Sequence, residues 1–103
     1  MIKHLRILVV DDDPGVIDLL IAFLDSHGYS VASARNGREA LALLESETFD
    51  LIISDIEMAE INGYELLRQT REKHPKIGIV LMTGYTERHP LSEALRAGAD
   101  GYI

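Results

Sequence analysis

Apolar positions along this chain follow two periods. Leu5 to Val10, Leu51 to Ile53 and Ile77 to Met82 are short runs rich in branched residues. Runs of this length are too short for helices and predict strands covered on both faces. Tyr29 to Ala34 reads as a further strand. Between the strands the spacing changes to that of helices. One is expected from Pro14 to about His27, with Val16, Ile17, Leu20, Ile21, Phe23 and Leu24 on a broad apolar face. Asp11-Asp12-Asp13 offers its N-cap, Pro14 suits its first turn, and Gly28 is placed to end it. Asn36-Gly37 forms a turn into a helix bearing Ala40, Leu41, Leu43 and Leu44. A third helix is expected from about Asn62 to Lys73, closed by His74-Pro75. A fourth runs from about Pro90 to Ala97, with Gly98 as its C-cap. Gly101-Tyr102-Ile103 begins a fifth strand.

Strands alternating with helices imply right-handed crossovers and a parallel sheet with helices on both faces. The expected fold is therefore a doubly wound α/β domain. Strand order is not legible from spacing. The flavodoxin-like order 2-1-3-4-5, one of two common choices, would set the first and third strands side by side at the topological switch point. The tips of those strands carry acids: Asp11 and Asp12 on one, Asp55 on the other.

Composition narrows the picture. At 103 residues the chain is one domain, large enough to bury a core without staples. It has no cysteine, so neither a disulfide framework nor thiolate chemistry is open to it. Seventeen acidic against ten basic residues give a net charge of −7, which argues against this domain gripping nucleic acid. No apolar run approaches the length of a membrane span, and the opening residues lack the apolar core of a signal peptide. A cytoplasmic protein without membrane contact is expected. His4, His27, His74 and His89 fall at element edges without metal-ligand spacing and read as surface residues.

The candidate chemistry lies at the strand tips. Three carboxylates converging on one crevice repel one another, and a hard divalent cation relieves that cost. Mg²⁺ typically takes one or two carboxylates, several waters and a phosphate oxygen. Thr83-Gly84 ends the fourth strand with a hydroxyl beside a residue that leaves space. An aspartate can accept a phosphoryl group as an acyl phosphate. Asp13 reads as a plain N-cap.

The segments ILVVDDDP, DLIISDIEM, LMTG and AGADGYI closely resemble the receiver domain of two-component response regulators, across the whole chain. The resemblance implies that Asp55 takes a phosphoryl group from a histidine kinase or phosphotransfer protein and that the domain switches conformation to regulate a downstream target. It implies Mg²⁺ bound directly by Asp12, Asp55 and the backbone carbonyl of Glu57, with Asp11 acting mainly through a metal-bound water. Thr83 would bond a phosphoryl oxygen, and Tyr102 would be the aromatic that swings inward with it. Glu57 and Tyr85 match the two variable positions that tune the lifetime of the phosphoryl group. Such a domain is a signalling receiver that assists its own phosphorylation and dephosphorylation, not an enzyme in the ordinary sense.

The chain departs from the family pattern in three places. Ala59 stands where proline is usual after Met58, though Gly63 is kept for the tight entry to the third helix, and Asn62 replaces a common aspartate while still able to cap a helix. The family's lysine would fall two residues beyond Ile103, with a last helix after it, so the fifth strand and its helix are expected to be incomplete. That predicts uncovered apolar surface at Ile17, Ile21 and Leu24, an open edge on the fourth strand, and self-association through this end. Two other functions compete. A haloacid-dehalogenase-like phosphatase wants a second aspartate two positions after the nucleophile, where this chain has Glu57. A pseudo-receiver would lack the acids that are present. A nucleotide-binding module is weaker still, for no glycine-rich loop follows the first strand.

Overall fold

The computed structural model describes residues 5–82 and the backbone of Gly101–Tyr102. Its elements, in chain order, are β1 (Arg6–Val10), α1 (Pro14–Ser26), β2 (Ser30–Ala34), α2 (Gly37–Ser46), β3 (Leu51–Asp55), α3 (Gly63–Lys73), β4 (Gly78–Met82) and β5 (Gly101–Tyr102). All strand pairings are parallel, in the order β2-β1-β3-β4-β5. The doubly wound fold and its flavodoxin-like order are thus as expected. The helix anticipated at 90–97 lies outside the described residues.

Each face of the sheet carries its own core. Successive side chains of a strand point to opposite faces. Ile7 and Val9 of β1, with Ile53 of β3, pack on one side against Ile17 and Leu24 of α1. Leu8, Val10, Ile52, Ile79 and Leu81 pack on the other against Ala40 and Leu44 of α2 and Leu66 and Leu67 of α3. Burial on both faces is why these runs are apolar at every position instead of every second one.

The helices start and stop on side-chain and backbone chemistry. Asp13, Asn36 and Asn62 cap α1, α2 and α3, accepting from the N–H groups of Gly15, Glu39 and Glu65 at 2.8, 2.8 and 2.9 Å. At the end of α1, Gly28 has φ 85°. Its N–H reaches the Asp25 carbonyl at 3.0 Å and that of Tyr29 reaches Leu24 at 3.2 Å. This is a Schellman closure, in which the left-handed residue falls on glycine.

Two expectations are corrected. Phe23 is not on the buried face of α1: it is 59% exposed, as is Leu19 at 71%. Phe23 lies about 100° around the helix from Leu24, beyond the stripe that the sheet can cover. Ile17 and Leu24 are not uncovered, being only 6% and 8% exposed, while Ile21 is half-buried. They share a cluster with Ile7 and Val9 of β1 and Ile53 of β3, against which Val31 of β2 and Val80 and Met82 of β4 also pack. On its outer edge β4 is paired only at Val80 and Leu81, with Gly101 and Tyr102 of the two-residue β5.

Candidate metal and phosphoryl site

β1 and β3 are neighbours with Val10 opposite Ser54. Asp11 follows Val10, and Asp55 follows Ser54 as the last residue of β3. The register therefore delivers two acids side by side at the carboxyl end of the sheet, and Asp12 follows on the loop. One carboxylate oxygen from each of Asp11, Asp12 and Asp55 lies within 4.8 Å of the others. Asp11 is buried, Asp55 half-buried and Asp12 exposed. The Asp11 carboxylate accepts from the Asp13 N–H at 2.9 Å, which ties it to the turn that starts α1. Asp13 itself serves α1 as its cap, outside the cluster.

Burial and neighbouring charge weaken Asp11 and Asp55 as acids. Burial, above all, raises the Asp11 pKa, and the charges of Asp12 and Asp13 add to it against the opposing hydrogen bond from Asp13. Asp55 is pushed up to about 6, first by burial and then by the charge of Asp11, against the backbone N–H groups of Glu57 and Ile56. An all-oxygen donor set of closely spaced, destabilised carboxylates fits a hard divalent cation, whose charge relieves both causes.

The raised pKa has a consequence for stability. Between 3.8 and about 6 the folded chain holds the Asp55 proton more tightly than the unfolded chain. This group's contribution is therefore most favourable at low pH and declines as pH rises to about 6, then stays flat. That rise to about 6 corresponds to about 3 kcal/mol, and partial exposure of Asp55 reduces it to about 1–2 kcal/mol. In metal-free buffer, Asp55→Asn is expected to melt close to the parent near pH 4 and clearly above it at pH 7. Thermal melts across that range check this; equal melting at pH 7 would mean that the acids do not strain the fold.

Glu57 lies two residues past Asp55 with its side chain exposed. Thr83, Tyr85 and the side chain of Tyr102 lie outside the described residues. One contributor, Ser54, escaped the sequence reading, and Gly63 does more than open a helix. Ser54 is fully buried, and its hydroxyl donates to the Asp55 carbonyl at 2.8 Å. Gly63 lies so near that a Cβ on it would stand 2.5 Å from the same oxygen. The one visible signal for Ser54 is a hydroxyl closing an otherwise apolar run. A cavity of about 810 Å³ lined in part by Arg6, Phe49, His74 and Ile77 opens at the opposite end of the strands. In open α/β sheets, ligands bind at the carboxyl ends, and that is where the acids converge.

Comparison with known proteins decides the family. The model of the response regulator receiver domain matches residues 7–103. The chain belongs to the response regulator receiver family. Among solved structures, this receiver domain is similar to a CheY-like receiver protein of Methanospirillum hungatei JF-1, at 37% identity and a TM-score of 0.90 over 98% of this chain and 81% of that one. It is also similar to the response regulator TrrA of Thermotoga maritima, solved in complex with Mg²⁺–BeF, at 40% identity and a TM-score of 0.87 over 97% and 85%. Its sequence is 42% identical over 101 residues to the transcriptional regulatory protein ZraR of Klebsiella oxytoca, covering 98% of this chain and 23% of that protein. The chain thus spans about a quarter of the length of that relative. Phosphoryl acceptance in two-component signalling is the general function of receiver domains. Among the described residues, no helix is long and apolar enough to cross a membrane.

Proposed function

We propose that residues 1–103 form one receiver domain that accepts a phosphoryl group on Asp55 from a histidine kinase or phosphotransfer protein, with Mg²⁺ held by Asp11, Asp12 and Asp55. The observation that carries this reading is the convergence of those three carboxylates within 4.8 Å at the ends of β1 and β3. Asp12 and Asp55 would hold the ion, together with the Glu57 backbone carbonyl, and Asp11 would act through a bound water. When present, the ion supplies positive charge that screens the acids from one another and from phosphoryl oxygens. An oxygen of the ionised Asp55 carboxylate attacks phosphorus and forms the O–P bond of an acyl phosphate. The bond from phosphorus to the donor nitrogen breaks, and the leaving imidazole keeps the electron pair. Asp55 suits the nucleophile's place because burial beside Asp11 makes it more basic than an ordinary aspartate while leaving it ionised at pH 7. Thr83 would donate to a phosphoryl oxygen, and Tyr102 would follow it as the switch. A cysteine-free chain fits a reducing compartment such as the cytoplasm.

Titration with Mg²⁺ and beryllofluoride tests the reading. The amide signal of Asp55 is expected to shift when both are added. Asp12→Ala is expected to require about 10–100-fold more Mg²⁺ for the same shift, the usual scale for loss of a group that shapes a metal site. Equal affinity in Asp12→Ala would remove Asp12 from the site. An Asp55 signal that ignores beryllofluoride would favour a module that no longer takes phosphate.

A further inference from the structure

β1 leaves the sheet after Val10, whose register partner is Ser54, so Asp55 extends one residue past the β1 ladder. On the other side β3 still bonds to β4, for the Ile56 N–H donates to the Met82 carbonyl at 3.2 Å. Adjacent residues of a parallel strand turn their backbone groups toward opposite neighbours. The Asp55 carbonyl accordingly faces the β1 side, where the ladder has ended. A buried carbonyl without a donor is costly. The Ser54 hydroxyl meets it at 2.8 Å. Gly63 closes in from α3, its own N–H donating to the Ile56 carbonyl at 2.8 Å.

Ser54 itself is 0% exposed. A hydroxyl buried in an apolar layer is unfavourable unless it finds a partner, and this one finds it in the backbone of the residue that carries the candidate acceptor. Rotation of the Asp55–Ile56 peptide would change the direction in which the Asp55 side chain leaves the strand end. We propose that Ser54 is a positioning residue for chemistry at Asp55: its hydroxyl holds that peptide so that the carboxylate points at Asp11 and Asp12. This inference rests on the reading of Asp55 as phosphoacceptor.

The test uses the full-length protein with acetyl phosphate and Mg²⁺, following labelling rate against donor concentration and melting temperature for each variant. Ser54→Ala is expected to lower the rate at saturating donor by about 10-fold, the scale for losing a group that orients a reacting ligand, with half-saturation unchanged. Ser54→Cys, similar in volume with a weaker donor, is expected to fall between alanine and parent, and it carries the comparison if the alanine variant does not fold. A variant that melts lower yet labels at the parent's maximal rate would overturn the inference, as would a change confined to half-saturation. Asp55→Asn separates the two readings. If it takes no label while both Ser54 variants label like the parent, the role of Ser54 falls and the acceptor stands. If it is still labelled, the acceptor assignment falls and the role of Ser54 falls with it.

Discussion

Asp55→Asn is expected to abolish phosphoryl labelling of the full-length protein by acetyl phosphate and Mg²⁺. The parent's label should survive acid and be released by hydroxylamine, as an acyl phosphate is. An amide cannot replace the carboxylate, because its oxygen is a poor nucleophile and the acyl phosphate has no counterpart at asparagine. The loss cannot be attributed to unfolding, since removal of a charge repelled by Asp11 should raise the melting temperature at neutral pH. Asp11→Asn and Asp12→Asn should slow the label without moving it, because those side chains prepare the site and do not accept the group. Label that persists on Asp55→Asn would place the acceptor at another residue. Retained folding with lost label would tie the chemistry to one oxygen pair in the cluster.

Much of the fold was legible because several strands are buried on both faces. β1, β3 and β4 are each built on an unbroken apolar run, and their predicted limits lie within about two residues of those observed. Asp13 and Asn62 were readable as caps, since a short polar side chain ahead of an amphipathic stretch has few other roles. Strand order was not legible; only the pairing of β1 with β3 brings Asp11 to Asp55. The limits of the α1 face were misread at Phe23 because hydrophobicity alone does not say how wide a stripe one sheet face can cover. The supposed exposure of Ile17 and Leu24 failed for a related reason: the sheet face itself, from Val31 of β2 to Val80 of β4, packs in the cluster that holds them.

The candidate site divides in the same way. Asp11, Asp12 and Asp55 could be nominated from strand tips because acids there have a physical cost that asks for an explanation. Their meeting depends on register, and the structure brings all three together. Ser54 could not be nominated, and Gly63 only as the tight entry to α3. Their connection to the Asp55 carbonyl is a matter of tenths of an ångström between β3 and α3, which no periodicity encodes.

That proximity sets the largest expected effect on stability, at Gly63→Ala. Gly37 and Gly63 both open helices, α2 and α3, and neither has a positive φ. Conformational strain is therefore not what requires glycine at either position. Alanine should even help, since glycine within a helix costs about 1 kcal/mol relative to alanine, and less at the first position. Space decides between them. At Gly37 a Cβ would stand 2.8 Å from the Cβ and Cγ2 of Ile61 and 3.0 Å from its carbonyl. Ile61 is a half-buried loop residue whose segment can shift, so gain and loss nearly cancel, and Gly37→Ala should stay within about 1 kcal/mol of the parent. At Gly63 the obstructions are the Asp55 carbonyl at 2.5 Å and the Ile56 Cα at 2.8 Å. Both are backbone atoms at the end of a central strand, and no rotamer removes them. Overpacking typically costs about 1–3 kcal/mol, and this case belongs at the upper end, for a net loss of about 2–3 kcal/mol. At about 4–8 °C per kcal/mol for a domain of this size, Gly63→Ala should melt about 10–20 °C below the parent. The same push displaces the carbonyl that Ser54 holds, so whatever remains folded should also need more Mg²⁺ to shift the Asp55 amide. Melting curves for both variants, with a Mg²⁺ titration of each, provide the comparison. If Gly63→Ala melts with Gly37→Ala and binds Mg²⁺ like the parent, α3 sits farther from the end of β3 than these distances place it.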